Sequence, residues 1–338
     1  MWVARSASPF PADRAWVRDK TGRHHWIVAL KATFDVDERG QLKVAEEQPI
    51  PELVPQWNGE DFVSSLRCES DLTALRPATD VVVHGCAHAP NGRPVAEVPI
   101  GLRVGRVQKT LVVRGDAVFH TSGPTLSTTT PAPFVKMPVT YERAFGGMDV
   151  SNPDPSQQKM DGRNPVGRGV ATTLSKLQNT PAPNVFFPGK DMQTAGPAGF
   201  GAIAAHWSPR VEHQGTYDAK WEATKKPLLA DDWHPRALLT APPDQQVGGY
   251  LEGGEAVEVV HMNERGVLKF AIPQHELRLK TSFGSNVREH GGLLVSVFVE
   301  PDPGRVTLLW QSSLLVPPAD IEYLDETEAS ISIPSVGV

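Results

Sequence analysis

The chain has little cysteine, no long apolar run and no excess of basic residues. Only Cys68 and Cys86 occur in 338 residues, which excludes a disulfide framework and favours reduced thiols in a cytoplasmic protein. No stretch approaches the roughly 18 apolar residues that a membrane-spanning helix needs, and the first residues lack the basic-then-apolar pattern of a signal peptide. We therefore expect a soluble cytoplasmic protein without membrane insertion.

The charge balance is slightly acidic. Lys and Arg number 33 against 39 for Asp and Glu, so the formal net charge is −6. Nucleic-acid binding requires a basic surface that neutralises phosphates. This balance argues against nucleic acid as the main partner.

The common catalytic sequence motifs are also missing. The chain has no phosphate-binding loop, no nucleophile elbow and no H-E-x-x-H zinc motif. The glycine-rich run 196–201 does not have the spacing of a dinucleotide-binding loop, and its glycines are better explained by tight turns. We expect no catalytic residues and no cofactor.

One group of residues has the composition of a metal site. On a continuous strand, His84, Cys86 and His88 would share one face, and imidazole and thiolate are both zinc ligands. Same-face neighbours lie about 6.6 Å apart, however, which is too far for three consecutive ligands of one metal. We expect ordinary sheet residues and no metal, although the sequence leaves the question open.

Proline and glycine are abundant, at 31 and 29 residues, and together they predict many turns and few long helices. Apolar residues alternate along 25–36, which predicts a strand, and residues 41–45 return to form a hairpin. Two further hairpins are predicted at 256–272 and 293–310. Short strands recur between residues 80 and 119, as they do in a sandwich or barrel.

These patterns predict a mainly β protein, an antiparallel β-sandwich or curved sheets, with a long ordered Pro/Gly-rich loop segment and few short helices. The loop-rich part contains too many aromatic residues to be disordered, and it has two candidate helices, at 172–176 and 219–224. We expect a single domain, 1–338, divided into an N-terminal β region at about 23–130, a loop-rich segment at about 131–250, a C-terminal β region at about 251–318 and a solvated acidic tail at 319–338.

Five blocks of sequence carry a family resemblance. They are PVTYERAFGGMDV with the following NPDPSQQKMDG and RNPVGRGV, then GPAGFGAIAAHWSPR, GTYDAKW, APPDQQ and LEGGE. Their order and spacing resemble those of a bacterial family known as domain of unknown function 2169. The resemblance extends from about Trp26 to the last hairpin.

The resemblance implies a role in the type VI secretion system. Proteins of this family act as adaptors or chaperones for an effector, a PAAR-type tip protein or a spike protein (VgrG), so the expected function is effector loading by protein binding. The motif residues that this implies as partner-binding are Tyr141, Glu142, Arg143, Phe145, Gly146, Gly147, Asn164, Pro165, Gly167, Gly169, Trp207, Arg210, Tyr217 and Trp221. Aromatic residues and Arg are enriched at interface hot spots, but the same residues could instead pack and shape the loop.

Two other functions remain open. One is a metal-dependent enzyme with its site near Glu142, Arg143 and Asp149, which would require bound metal or a polar pocket with perturbed carboxylates. The other is a carbohydrate-binding β-sandwich, which would require an exposed tryptophan platform.

Overall fold

The apolar alternation that begins at Trp26 forms the longest strand, His24–Val36. The structure is a computed structural model that describes residues 2–337. Within this strand every residue from Trp26 to Phe34 is buried, because layers of chain cover both faces of the sheet. The strand is confirmed, whereas the alternation indicated only one of its two buried faces.

This strand lies within a six-stranded sheet, which we call the long sheet. The predicted hairpin Leu293–Glu300 and Arg305–Val316 pairs beside it, and Asp80–Val83 adds a parallel edge strand. In order, the sheet contains Ala12–Arg18, His24–Val36, Arg305–Val316, Leu293–Glu300 and Asp80–Val83, with Leu42–Val44 paired to His24–Val36.

Two smaller sheets complete the main β structure. The five-stranded sheet has the order Val185–Phe186, Val107–Arg114, Glu97–Val104, Ala256–Val260 and Val267–Ala271. The four-stranded sheet has the order Val3–Ser6, Leu324–Ser332, Glu276–Phe283 and Asn286–Gly291. The fold is therefore mainly β, as predicted.

The expected solvated tail is wrong for the segment that follows residue 318. A 3-10 helix, Pro318–Tyr323, leads into the strand Leu324–Ser332, which lies between two partner strands. Asp325 and Glu328 are exposed and Glu326 is half-buried, while Thr327 and Ala329 are buried. Acidic content concealed a period-two pattern, in which only alternate positions need to be apolar.

One large apolar cluster joins all three sheets. Trp26 and Leu30 of the long sheet, Ile100 of the five-stranded sheet and Leu279 and Ala329 of the four-stranded sheet belong to it. A small cluster on the other face of the long sheet contains Ala29, Leu72, Val295 and Leu309. Residues that precede Asp80 therefore cover this second face.

The Pro/Gly-rich segment and other parts of the chain contain short helices and two-stranded pairs. The predicted helix at 219–224 is present as Ala219–Thr224, and the one at 172–176 is a 3-10 helix, Leu174–Leu177. The other helices are Met192–Ala195 and the 3-10 helices Pro90–Gly92, Tyr141–Arg143, Pro155–Gln157, Arg210–His213, Pro235–Leu238, Pro243–Gln245 and Pro334–Val336. The two-stranded pairs are Gln56–Trp57 with Leu66–Cys68, Cys86–His88 with Lys136–Pro138, Phe119–Ser122 with Thr125–Thr128, Phe145–Gly146 with Arg168–Gly169, and Met148–Asp149 with Lys159–Met160.

Across residues 2–337, no helix has both the length and the apolar character that crossing a membrane requires.

Candidate functional site

The first motif block folds around the side chain of Asn164, which is completely buried. Its Nδ2 donates to the carbonyl oxygens of Tyr141 (2.8 Å) and Phe145 (3.0 Å). The backbone carbonyl oxygen of Asn164 accepts from the N–H groups of Gly147 and Gly167, whereas its buried side-chain Oδ1 has no hydrogen-bond partner in the part of the chain that the structure describes. One asparagine thus joins the two halves of the block, and we call this arrangement the motif core.

Three glycines allow the backbone to approach Asn164 closely. A Cβ at Gly167 would lie 2.8 Å from the Ala144 carbonyl oxygen, and one at Gly147 would lie 2.6 Å from the Gly167 carbonyl oxygen. Gly146 and Gly147 also have positive φ, which other residues rarely adopt. Gly169 packs against the ring of buried Phe145. These glycines serve the geometry of the motif core.

The adjacent charged residues Glu142 and Arg143 of the block bind different partners. Glu142 accepts from the backbone N–H (2.7 Å) and hydroxyl (3.0 Å) of Ser65. Burial by itself would raise the pKa of Glu142, but hydrogen bonds from Ser65, from Thr140 and from its own backbone outweigh it and hold the pKa below its ordinary value. Arg143 donates to Asp116 and Asn184. The nearby Asp149 instead accepts from Thr172 and Lys176.

An aromatic pair connects the first block to the second. Tyr141 and Trp207 are both buried and meet edge to face, with their ring centroids 5.7 Å apart. The Tyr141 hydroxyl donates to the carbonyl oxygen of Gly201 (3.3 Å), and the absence of a side chain at Gly199 leaves room for the tyrosine ring. The pair places the second block against the motif core.

Arg210 is a buried organiser of the second block. It donates to the carbonyl oxygens of Ala237 (2.7 Å) and Ile203 (3.0 Å), and it forms a 2.7 Å ion pair with Glu69. Its guanidinium therefore links three separate segments of chain inside the protein.

The remaining motif residues lie nearer the surface. Trp221 is half-buried, and its indole donates to the Leu228 carbonyl oxygen. Tyr217 packs edge to face on Trp221 with centroids 4.8 Å apart. Pro165 is half-buried in the turn after Asn164. Among the fourteen motif residues, only Tyr217 is exposed, so most of the motif supports the structure from within.

Sequence reasoning missed the most exposed apolar side chains of the protein. Among residues 2–337 the four most exposed large apolar residues are Leu53 (72%), Ile50 (70%), Phe62 (70%) and Val63 (61%). Val54 in the same segment is 56% exposed. We call the exposed apolar side chains of segment 50–63 the apolar ledge. Its signal in the sequence is a set of apolar residues that lie among prolines and follow no strand or helix period.

The apolar ledge is ordered by a short hairpin, Gln56–Trp57 with Leu66–Cys68. At its tip, Phe62 has a φ of +64°, a left-handed conformation that is rare for a bulky residue. The Phe62 ring packs against half-buried Trp57, with centroids 5.0 Å apart.

The motif core and its aromatic pair support this hairpin directly. Glu142 binds Ser65 at the base of the hairpin. The Trp57 ring lies 6.1 Å from the His206 ring, and the indole of Trp207 donates to His206 (3.0 Å). The residues expected to contact a partner thus hold the segment that is exposed.

The segment that carries the apolar ledge is acidic. Segment 46–63 contains Glu46, Glu47, Glu52, Glu60 and Asp61 and no Lys or Arg. All of these except Glu52 are exposed. Glu52 instead approaches Lys31, at 3.4 Å.

A polar cavity of about 250 Å³ lies between this segment and the long sheet. Lys31 forms a 2.9 Å ion pair with Asp71 there. Burial alone would lower the pKa of Lys31, but the charge of Asp71 raises it above its ordinary value. Buried Arg76 also lines the cavity, and its Nε has no hydrogen-bond partner. Sequence reasoning placed a possible polar pocket near Glu142 and missed this one.

His84, Cys86 and His88, the potential metal ligands, do not share one continuous strand. The metal-site hypothesis assumed that they do. The strands Asp80–Val83 and Cys86–His88 are separate, with a break at His84 and Gly85. His84 stacks near Phe298, whereas His88 bonds Asp302 at 2.6 Å. Within the described part of the chain, no three His, Cys, Asp or Glu side chains are grouped as a metal site.

The fold and the site define a mainly β protein in which a buried core of glycine, asparagine and aromatic residues supports an exposed apolar segment. The chain matches the model of a family described as an uncharacterized protein conserved in bacteria, DUF2169, over residues 21–311. The chain belongs to this family. Comparison with curated proteins and with solved structures gave no match.

Proposed function

We propose that this protein is a non-enzymatic adaptor or chaperone of the type VI secretion system. It binds an effector, a PAAR-type tip protein or both, and helps to load the effector onto the spike. Membership of the DUF2169 family supports the proposal, because the resemblance to that family implies such a role.

The observation that carries the proposal is the apolar ledge. Exposed apolar side chains gathered on one segment mark protein-interaction sites in soluble proteins. Here the four most exposed large apolar side chains described belong to that segment, and the motif core holds its base through Glu142 and Ser65. The motif residues contribute to binding by positioning this surface.

Co-expression with the effector and PAAR-type proteins encoded nearby tests the proposal. Size-exclusion chromatography with mass determination should give a complex of defined stoichiometry. Trp207→Leu in a variant that still folds should weaken the complex, because Trp207 supports Trp57 through His206.

If the folded protein elutes alone with every such neighbour, the proposal is wrong. The enzymatic alternative would then be pursued by metal analysis and a substrate screen, with the cavity lined by Lys31, Asp71 and Arg76 as the first place to look.

A further inference from the structure

We propose that the apolar ledge and its acidic surroundings bind a segment of the partner that carries both apolar and Lys or Arg side chains. This inference rests on the proposed adaptor function and specifies the chemistry of the partner. Its basis is the combination of exposure, rigidity, backbone conformation and charge in segment 46–63.

The segment is held in place, so its apolar side chains are exposed by a fixed conformation. Glu52 and Asp71 are joined by backbone contacts: the Asp71 N–H donates to the Glu52 carbonyl oxygen (2.8 Å), and the Glu52 N–H donates to the Asp71 carboxylate (2.9 Å). Pro49, Pro51 and Pro55 further restrict the backbone. A surface that is already ordered loses little conformational entropy when it binds a partner.

Phe62 is placed at the surface at a conformational cost. Its positive φ is unfavourable for a residue with a Cβ, and 70% of the residue is exposed. A glycine would remove the conformational cost at this position. Strained residues of this kind concentrate at binding sites, which indicates that the aromatic ring itself is required at the tip.

The charge of the segment selects the partner. The exposed acids Glu46, Glu47, Glu60 and Asp61 belong to the same segment as the apolar side chains, and no Lys or Arg lies within 46–63. Complementary charge increases the association rate and excludes partners of like charge. A second copy of this chain would present the same acids and be repelled, and an anionic membrane surface would be repelled for the same reason.

The backbone of the segment favours contact through side chains. Prolines at positions 49, 51 and 55 have no N–H to donate, and the strand Gln56–Trp57 has only two residues. Addition of a partner strand would need a longer row of free backbone groups. An amphipathic segment that places apolar side chains on the apolar ledge and basic side chains towards the acids satisfies both features.

The experiment uses the full chain and the partner recovered by co-expression, with binding measured by titration at low and high salt. Leu53→Ser combined with Phe62→Gly removes two apolar anchors, and Glu60→Lys combined with Asp61→Lys reverses the charge at the tip. We expect each pair to weaken binding at least tenfold. The charge pair should also reduce the salt dependence of binding.

The matched controls change similar residues elsewhere. Val287→Ser alters a side chain that is 57% exposed on another sheet, and Glu38→Lys combined with Glu264→Lys reverses two exposed turn acids. Both controls should bind within about twofold of the wild type, since neither touches the apolar ledge. Thermal unfolding of every variant verifies that it folds.

The outcomes separate this inference from the adaptor proposal. If the wild-type complex forms but both ledge variants bind like the controls, the docking surface is wrong and the adaptor proposal stands. If Leu53→Ser with Phe62→Gly abolishes binding but Glu60→Lys with Asp61→Lys has no effect, the inference that the partner segment carries Lys or Arg is wrong. Self-association of the wild type that the ledge variants abolish would show that a second copy occupies the surface.

If no encoded neighbour binds, the adaptor proposal fails and a synthetic helical peptide of Leu and Lys serves as the probe. Binding of this peptide to the wild type, but not to the two ledge variants, would support the surface chemistry by itself. Equal binding of a Leu and Glu peptide, or no binding of either peptide, would overturn it.

Discussion

At the residue scale, the motif core depends on positions where a side chain has no room. Gly167 and Gly162 belong to the same turn region, yet their surroundings differ. An added Cβ at Gly167 would meet the Asn164 amide and the Ala144 carbonyl oxygen, whereas one at Gly162 would have nothing within 4 Å. Neither glycine has a positive φ, so the two positions differ in the room available for a Cβ and not in the need for a left-handed backbone.

We expect Gly167→Ala to lower the free energy of unfolding by about 2–3 kcal/mol, because the added methyl group forces the motif core apart. Gly162→Ala should change it by less than about 0.5 kcal/mol in either direction. Urea denaturation of the two variants checks this difference. Equal stability would mean that Asn164 and its neighbours can rearrange around the methyl group without cost.

The sequence identified the motif residues but not their surroundings. Tyr141, Asn164 and Trp207 were found by resemblance, whereas the burial of Tyr141 depends on partners such as Gly199 and Gly201, which are distant from it along the chain. The apolar ledge was missed because Ile50, Leu53 and Phe62 follow no period. Periodicity detects regular elements, and an ordered loop has none.

At the element scale, the alternation of apolar residues identified strands that residue composition alone did not. His24–Val36 was found from its apolar residues, and so were the hairpins of the C-terminal region. Leu324–Ser332 was mistaken for a tail because acids occupy its outward positions. Its inward positions include Thr327, whose hydroxyl accepts a hydrogen bond from the indole of Trp26 (2.8 Å) and also bonds Thr281 (2.8 Å).

Thr327→Val keeps the shape of the side chain but removes the acceptor for the buried indole of Trp26. We expect a loss of about 1–3 kcal/mol in the free energy of unfolding, the usual cost of a buried donor without a partner. Glu328→Gln on the outer face of the same strand should cost less than about 0.5 kcal/mol. Thermal unfolding of both variants provides the measurement. A larger effect at Glu328 would contradict the assigned faces of this strand.

At the scale of the whole molecule, the two cysteines report on different regions. Cys68 lines the polar cavity under the long sheet, and Cys86 lies in a short strand paired with Lys136–Pro138. Burial raises the pKa of each thiol to about 11, with nearby carboxylates adding to it. Both thiols are therefore protonated at pH 8 in the folded protein.

We expect thiol-reactive reagents at pH 8 to modify folded protein about 100-fold more slowly than unfolded protein. Only the thiolate reacts, and a rise of the thiol pKa from 9.0 to about 11 lowers the thiolate fraction about 100-fold. Labelling of Cys68→Ala and Cys86→Ala variants along a urea series follows each thiol separately. Coincident midpoints would indicate one cooperative unit, as the expected single domain requires. Separate midpoints would divide the chain into independently unfolding parts.

The strand Val3–Ser6 pairs in parallel with Leu324–Ser332, and Val3 lies opposite Glu326. During synthesis the first of these strands leaves the ribosome long before the second exists. At about 5–20 residues per second, the interval is roughly 15–60 s. For that time the growing chain carries a strand without its neighbour, and closure of this sheet must wait until residues 324–332 have been synthesised.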